Sequence, residues 1–155
     1  MTDETKTDAG KAEHQPPKGA ETEGRWPGSG PAGAVDYRAL ADWTVLRRKD
    51  KDTPAAEMFS VSYLASGAGD AAQRPVTFLF NGGPGASSAY LHVGAVGPRR
   101  VAFPPDGTLP ALPPRLVDNE ASWLAFTDLV FVDPIGTGFS RIIDAPDGRG
   151  DKGDK

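Results

Sequence analysis

Cysteine is absent from the 155 residues, which excludes disulfides and thiolate metal sites and is compatible with a reducing compartment. Histidine is scarce: His14 and His92 are the whole supply, too few for a multi-histidine metal site. An excess of basic charge is missing too. With 17 Lys and Arg against 21 Asp and Glu the formal charge is −4, so nucleic acid or an anionic membrane finds no electrostatic footprint. No apolar run approaches the roughly 18 residues of a membrane span. The start, "MTDETKTDAG", has neither the basic n-region nor the apolar h-region of a signal peptide. The expected location is the cytoplasm as the sequence is written, and outside the cell or in the periplasm if the true start lies upstream. Neither a metal nor a cofactor is expected.

Lysine also vanishes from Thr53 to Gly150, while six of the seven phenylalanines fall between Phe78 and Phe139. That middle is the expected folded part. Residues 1–34 are rich in charged residues, Thr, Gly and Pro with one aromatic, Trp26. They cannot bury enough apolar surface to order themselves, and are expected to be a disordered tail. The same holds for 144–155, leaving 35–143 as the domain.

Within it, "FSVSY" alternates Phe59, Val61 and Tyr63 with serines, the period-2 mark of a half-buried strand. Arg47 to Asp52 form a charged turn before it. "VTFLF" (76–80) is nearly continuous apolar and predicts a strand covered on both faces. "LVFV" (129–132) repeats that pattern. Between them, "AYLHVGAV" predicts a short helix capped by Ser87 or Ser88 and stopped at Gly97 and Pro98, "FPPDGTLPALPPR" an irregular excursion, and "ASWLAF" a helical turn. Two buried strands about fifty residues apart, with helical content between, imply a crossover and an α/β sheet with parallel members. Ligands of such sheets bind at the carboxyl ends of the strands. There stand "NGGPG" (81–85) and "DPIGTG" (133–138).

Three chemistries compete for these loops. A Walker phosphate loop needs a Lys-Ser/Thr pair, and no lysine lies within thirty residues of Gly85; a dinucleotide fingerprint would need glycine where Ser88 stands. A G-x-S-x-G nucleophile elbow is one residue short at "GASSA" and at "GFSRI", so Ser87, Ser88 and Ser140 read as capping and turn residues. A glycine loop after a strand also supplies backbone oxyanion donors in acyl-transfer enzymes. "VTFLFNGGPG" has that form.

Taken together, "RPVTFLFNGGPGASS", "GPRRV" and "SWLAFTDLVFVDPIGTGFS" resemble the N-terminal third or so of the serine carboxypeptidases, from about Ala56 to Ser140. The resemblance implies the N-terminal part of an α/β-hydrolase fold, with a mixed, mostly parallel sheet that is incomplete. It implies that Asn81 and the N–H of Gly82 hold a peptide's C-terminal carboxylate, that the N–H of Gly83 is an oxyanion donor, and that Thr137 lies near the substrate. Asp133 is then a structural hydrogen-bonding group. The chain departs from the family at Leu79, where many members have tryptophan, at Ala86, where they have cysteine, and at Asp133-Pro134, where they read Asp-Gln-Pro; this suggests a branch without disulfides.

The family's serine, in a G-E-S-Y-A-G elbow, and its aspartate and histidine lie downstream of the matched part. His92 matches no catalytic position and reads as a partly exposed helix residue. The expected partners are a peptide C-terminus and the rest of the same polypeptide, without which the sheet has an open edge and a bare apolar face. The fragment itself is expected to be inactive. The runner-up is a non-catalytic module that binds C-terminal peptides.

Overall fold

The computed structural model describes residues 14–28, 33–50, 52–67, 71–110 and 112–143. Three long strands come first: β1 (Ala20–Trp26), β2 (Val35–Arg47) and β3 (Pro54–Ser66). They form an antiparallel meander, β1 on β2 and β2 on β3. The Arg47–Asp52 turn closes the second hairpin, with Asp52 N donating to Arg48 O at 2.9 Å. Next comes β4 (Val76–Phe80), then a small antiparallel hairpin of β5 (Arg99–Val101) and β6 (Leu116–Asp118), then β7 (Asp128–Val132) and β8 (Arg141–Ile142). The main sheet runs β1-β2-β3-β7-β4, with β8 on β3.

The β4–β7 pair is parallel, in register from Val76↔Asp128 to Phe80↔Val132. Its crossover carries a short helix, α1 (Ala89–Leu91), continued by a π-helical turn over His92–Val96, and a 3₁₀ turn at Trp123–Ala125. That turn is capped by the Ser122 side chain, which accepts from Leu124 N at 3.2 Å. The mixed sheet agrees with the sequence; the expectation that it is mostly parallel does not. Among the described strands β4–β7 is the one parallel pair. Short turns join β1, β2 and β3, and a short connection can only reverse a strand.

The tail boundary at residue 34 is also corrected. Residues 20–26 pair along their whole length with β2, and Trp26 is 1% exposed. The segment is an edge strand whose charges stay in water, as in Arg25–Asp36 at 2.8 Å. It is ordered by the backbone ladder and one aromatic anchor, features that composition does not register. Even before β1 the chain is tied down: His14 Nε2 lies 2.7 Å from Glu57 Oε1, and the buried Glu57 also meets Arg141 Nε at 3.1 Å. The expected disorder of 1–13 and 144–155 lies outside the described residues. Strand β2, unread in the sequence, carries its own period-2 signal in Val35, Tyr37, Ala39, Ala41, Trp43 and Val45.

One sheet face builds the core with Trp26, Val35, Tyr37, Leu79, Leu129 and Phe131, and Leu124 of the 3₁₀ turn packs into it. The other face is bare along β4. Leu79 is buried, but Val76, Phe78 and Phe80 are 49%, 62% and 59% exposed, so "VTFLF" is covered on one face and not two. β4 also ends the strand order, so its outer N–H and C=O groups meet no strand among the described residues. The open edge and uncovered face expected from the sequence are both present. β7, held between β3 and β4, buries Leu129 and Phe131 on one face and Val132 on the other. The double substitution of Phe78 and Phe80 to serine is expected to lower self-association in sedimentation velocity, while moving the unfolding free energy by less than about 1 kcal/mol, since exposed side chains lose little on truncation. A loss of several kcal/mol would show that this face is covered in solution. Among the described residues no helix is long and apolar enough to cross a membrane.

Candidate active site

The parallel strands β4 and β7 end side by side, and each delivers a glycine loop. In the first, Gly83 and Gly85 have φ of 74° and 97°, a left-handed backbone that any side chain would strain. A Cβ built on Gly82, Gly83 or Gly85 meets nothing within 4 Å. The glycines therefore serve backbone conformation and leave the loop's outer surface open. Asn81 is half-buried at the root, its N–H donating to Ser88 Oγ at 3.2 Å.

Ser88 is 1% exposed and occupies the N-cap position before α1, but its side chain makes no cap hydrogen bond. The capping role expected of it is corrected by its partners. Its hydroxyl donates to Val132 O at 2.5 Å, with a longer contact to Leu79 O at 3.3 Å. It thus fastens the carboxyl ends of β4 and β7 together beneath the loop, and its side chain makes no cap hydrogen bond to the helix. Its own N–H donates to Asp133 Oδ1 at 2.8 Å.

Asp133 joins the two loops. Oδ1 takes Ser88 N, and Oδ2 accepts the N–H of Phe139 at 3.1 Å. A Cβ on Gly138 would lie 1.9 Å from Oδ2 and 2.9 Å from the Ser87 Cβ, so only glycine allows this approach. Ser140 closes the second loop, its hydroxyl donating to Asp133 O and accepting from Phe59 N, both at 2.8 Å. Thr137 is buried, with its hydroxyl on Pro134 O at 2.8 Å. Of the residues singled out in the sequence, Asn81, Gly82 and Gly83 share one loop. Thr137 stands in the other, with its hydroxyl turned to its own backbone.

His92 is the half-buried helical residue expected, and the structure adds its partners. Its Nε2 lies 2.6 Å from Tyr63 Oη, and its ring stacks on Phe131 at 4.8 Å and 29°. Burial holds its imidazole below the usual histidine range, with Asp133 opposing. Burial also pushes the Tyr63 phenol up to about 12. Beside these residues lies a cavity of about 240 Å³ lined by Phe59, Val61, Ser87, Phe131, Asp133 and Phe139 among others. The ties of Ser88 to Val132 and Asp133, and of His92 to Tyr63, escape sequence reasoning because they join residues 29 to 45 positions apart.

A mixed sheet with paired glycine loops at the ends of parallel strands fits part of an α/β-hydrolase-type fold. Residues 50–153 match the family described as serine carboxypeptidase, and the chain belongs to that family. Its similarity to particular members is partial. It is 35% identical over 111 residues to the pheromone-processing carboxypeptidase KEX1 of Saccharomyces cerevisiae, covering 69% of this chain and 14% of that protein. It is 48% identical over 71 residues to the same-named protein of Pyricularia oryzae, covering 45% and 10%. The crystal structure of a prohormone-processing carboxypeptidase from Saccharomyces cerevisiae superposes with a TM-score of 0.54 at 32% identity, covering 75% of this chain and 23% of that one. The chain thus spans about a seventh of the yeast relative and under a quarter of the solved structure.

Proposed function

We propose that the intact protein is a serine-type carboxypeptidase that hydrolyses C-terminal peptide bonds through an acyl-enzyme, and that this chain supplies its carboxylate-binding and oxyanion loop. In this reading the Asn81 amide and the Gly82 N–H hold the terminal carboxylate of a peptide, two donors that do not titrate. The Gly83 N–H faces the oxygen that becomes negative on acylation. One such donor contributes about 10²–10³ in rate. Thr137 and its loop form the adjoining wall.

The observation that carries the reading is the open Asn81–Gly85 loop at the carboxyl end of β4, clamped through Ser88 and Asp133 to the loop that follows β7. Two of the nearby serine hydroxyls are engaged otherwise, while Ser87, half-buried beside the cavity, stands in no nucleophile elbow. Ser88 and Ser140 donate to backbone carbonyls, and His92 pairs with Tyr63. The catalytic serine, aspartate and histidine are therefore assigned to the remainder of the polypeptide, which would also cover β4.

The test is labelling of the purified 155-residue chain with an active-site fluorophosphonate, together with assay of C-terminal residue release. Neither is expected. Stoichiometric labelling of a serine in this chain would overturn the assignment. Peptide binding without labelling, lost in Asn81→Ala and dependent on a free terminal carboxylate, supports the cradle.

A further inference from the structure

His92 belongs to no catalytic assignment, yet it is the one titratable ring beneath the glycine loop among the described residues. We propose that His92 is a positioning residue for that loop, holding it on the sheet while the imidazole is neutral and releasing it when the ring is protonated.

The path from ring to loop is short. His92 N donates to Ser88 O at 2.9 Å, so a shift of His92 reaches Ser88 directly. Ser88 in turn holds Asn81 N, Val132 O and Asp133. On the other side His92 has little room. Gly97 packs so closely on its carbonyl that a Cβ there would lie 2.1 Å from His92 O.

Three residues, on β3, on β7 and just after β7, bear on the ring. From β3, Tyr63 Oη approaches Nε2 at 2.6 Å; its phenol keeps its proton through the neutral range, and in the proposed neutral state, with the ring proton on Nδ1, it donates to Nε2. From β7, Phe131 offers only a stacked apolar face. From the end of β7, Asp133 is the anionic neighbour, its two oxygens already accepting Ser88 N and Phe139 N. Farther out, Tyr37 of β2 edges onto Tyr63 at 5.3 Å, and Arg99 of β5 and Asp118 of β6 act on that pair.

Protonation turns Nε2 from acceptor into donor. Tyr63 Oη can then accept from Nε2 at 2.6 Å only by swinging its own hydrogen off the ring axis into apolar surroundings, where it loses its acceptor. The imidazolium is at the same time attracted by Asp133, the carboxylate that joins the two site loops. Because the folded state favours the neutral ring, stability is full above the unfolded-state value. It falls as pH drops from there towards the folded-state value, and then levels. The proposal goes beyond the carboxylate-cradle reading and needs no substrate to test, so its failure would leave that reading standing.

The experiment follows ring and amide resonances of the full chain from about pH 7 to about pH 5. His14 is the only other histidine, and His14→Gln isolates the His92 signal. The expected result is that amides of Asn81–Ser88 shift with the same midpoint as the His92 ring. In His92→Gln, whose amide oxygen still accepts from Tyr63, the loop keeps its neutral-pH shifts and no longer responds. Tyr63→Phe moves the loop resonances towards their acid positions already at neutral pH. Loop amides that ignore the His92 midpoint, or that titrate equally in His92→Gln, would overturn the proposal. So would a Tyr63→Phe chain with unshifted loop resonances.

Discussion

Trp26→Ala is expected to lower the unfolding free energy by about 3–5 kcal/mol, a large share of what a domain of this size possesses. Trp26 is the largest fully buried side chain and 1% exposed. It lies in the core with Val35, Tyr37, Leu79, Leu124, Leu129 and Phe131, so truncation removes apolar burial and leaves a cavity between a meander and a crossover. A polar loss is added. Its Nε1 donates to Asn119 O at 2.9 Å, and Asn119 is a junction: its side-chain amide donates to Ala95 O and Gly97 O, and its N–H to Pro98 O. The indole therefore fastens β1 to the segment that ends the π-helical turn. Trp26→Phe keeps most of the volume and loses the hydrogen bond, at about 1–2 kcal/mol. Urea unfolding of the three proteins measures both values. A Trp26→Ala cost under about 1 kcal/mol would mean that β1 does not belong to the folded core.

Asp133→Ala is the second large effect, expected at about 2–5 kcal/mol because it strips the acceptor from two backbone N–H groups. Asp133 is 7% exposed, and its oxygens separately accept Ser88 N and Phe139 N. Ser88 N sits in a residue that is itself buried, so the lost bond is not replaced by bulk water. Unlike the tryptophan change, this one strikes the site directly, so both glycine loops are expected to gain hydrogen exchange along with the drop in stability. Gly138→Ala should reproduce the loop effect with Asp133 unchanged, because the added Cβ would sit 1.9 Å from Oδ2 on a residue whose φ is +51°. Exchange at Ser88 and Phe139 that stays protected in both variants would refute the clamp.

The two substitutions divide the molecule into what a local pattern announces and what it conceals. Strand β3 was legible because alternation encodes one wet and one dry face. The glycine loops were legible because "NGGPG" and "DPIGTG" restrict the backbone on the spot. β1 was hidden: six of its seven residues are at most half-buried, and its order comes from pairing with β2. β2 carried a clear alternation that remained unread beside the stronger signals after it. Ser88 and Ser140 read as caps and turns because a serine's neighbours in sequence suggest nothing else. Ser140 does close a turn, its N–H donating to Thr137 O at 2.9 Å, but the side-chain partners of the two, Val132 O and Phe59 N, arrive from distant strands.

By itself the sequence determined the family, the α/β class, the order of strand, glycine loop, crossover and strand, and the apolar demand of "VTFLF". All of these reside in residue types at short spacing. Tertiary structure alone decided the balance of antiparallel to parallel pairing, the exposure of Phe78 and Phe80, and the conversion of Ser88, Asp133 and His92 into a clamp behind the loop. The reason is physical: burial and hydrogen bonding are properties of the neighbour, and the neighbours of these residues are brought by the fold from tens of positions away.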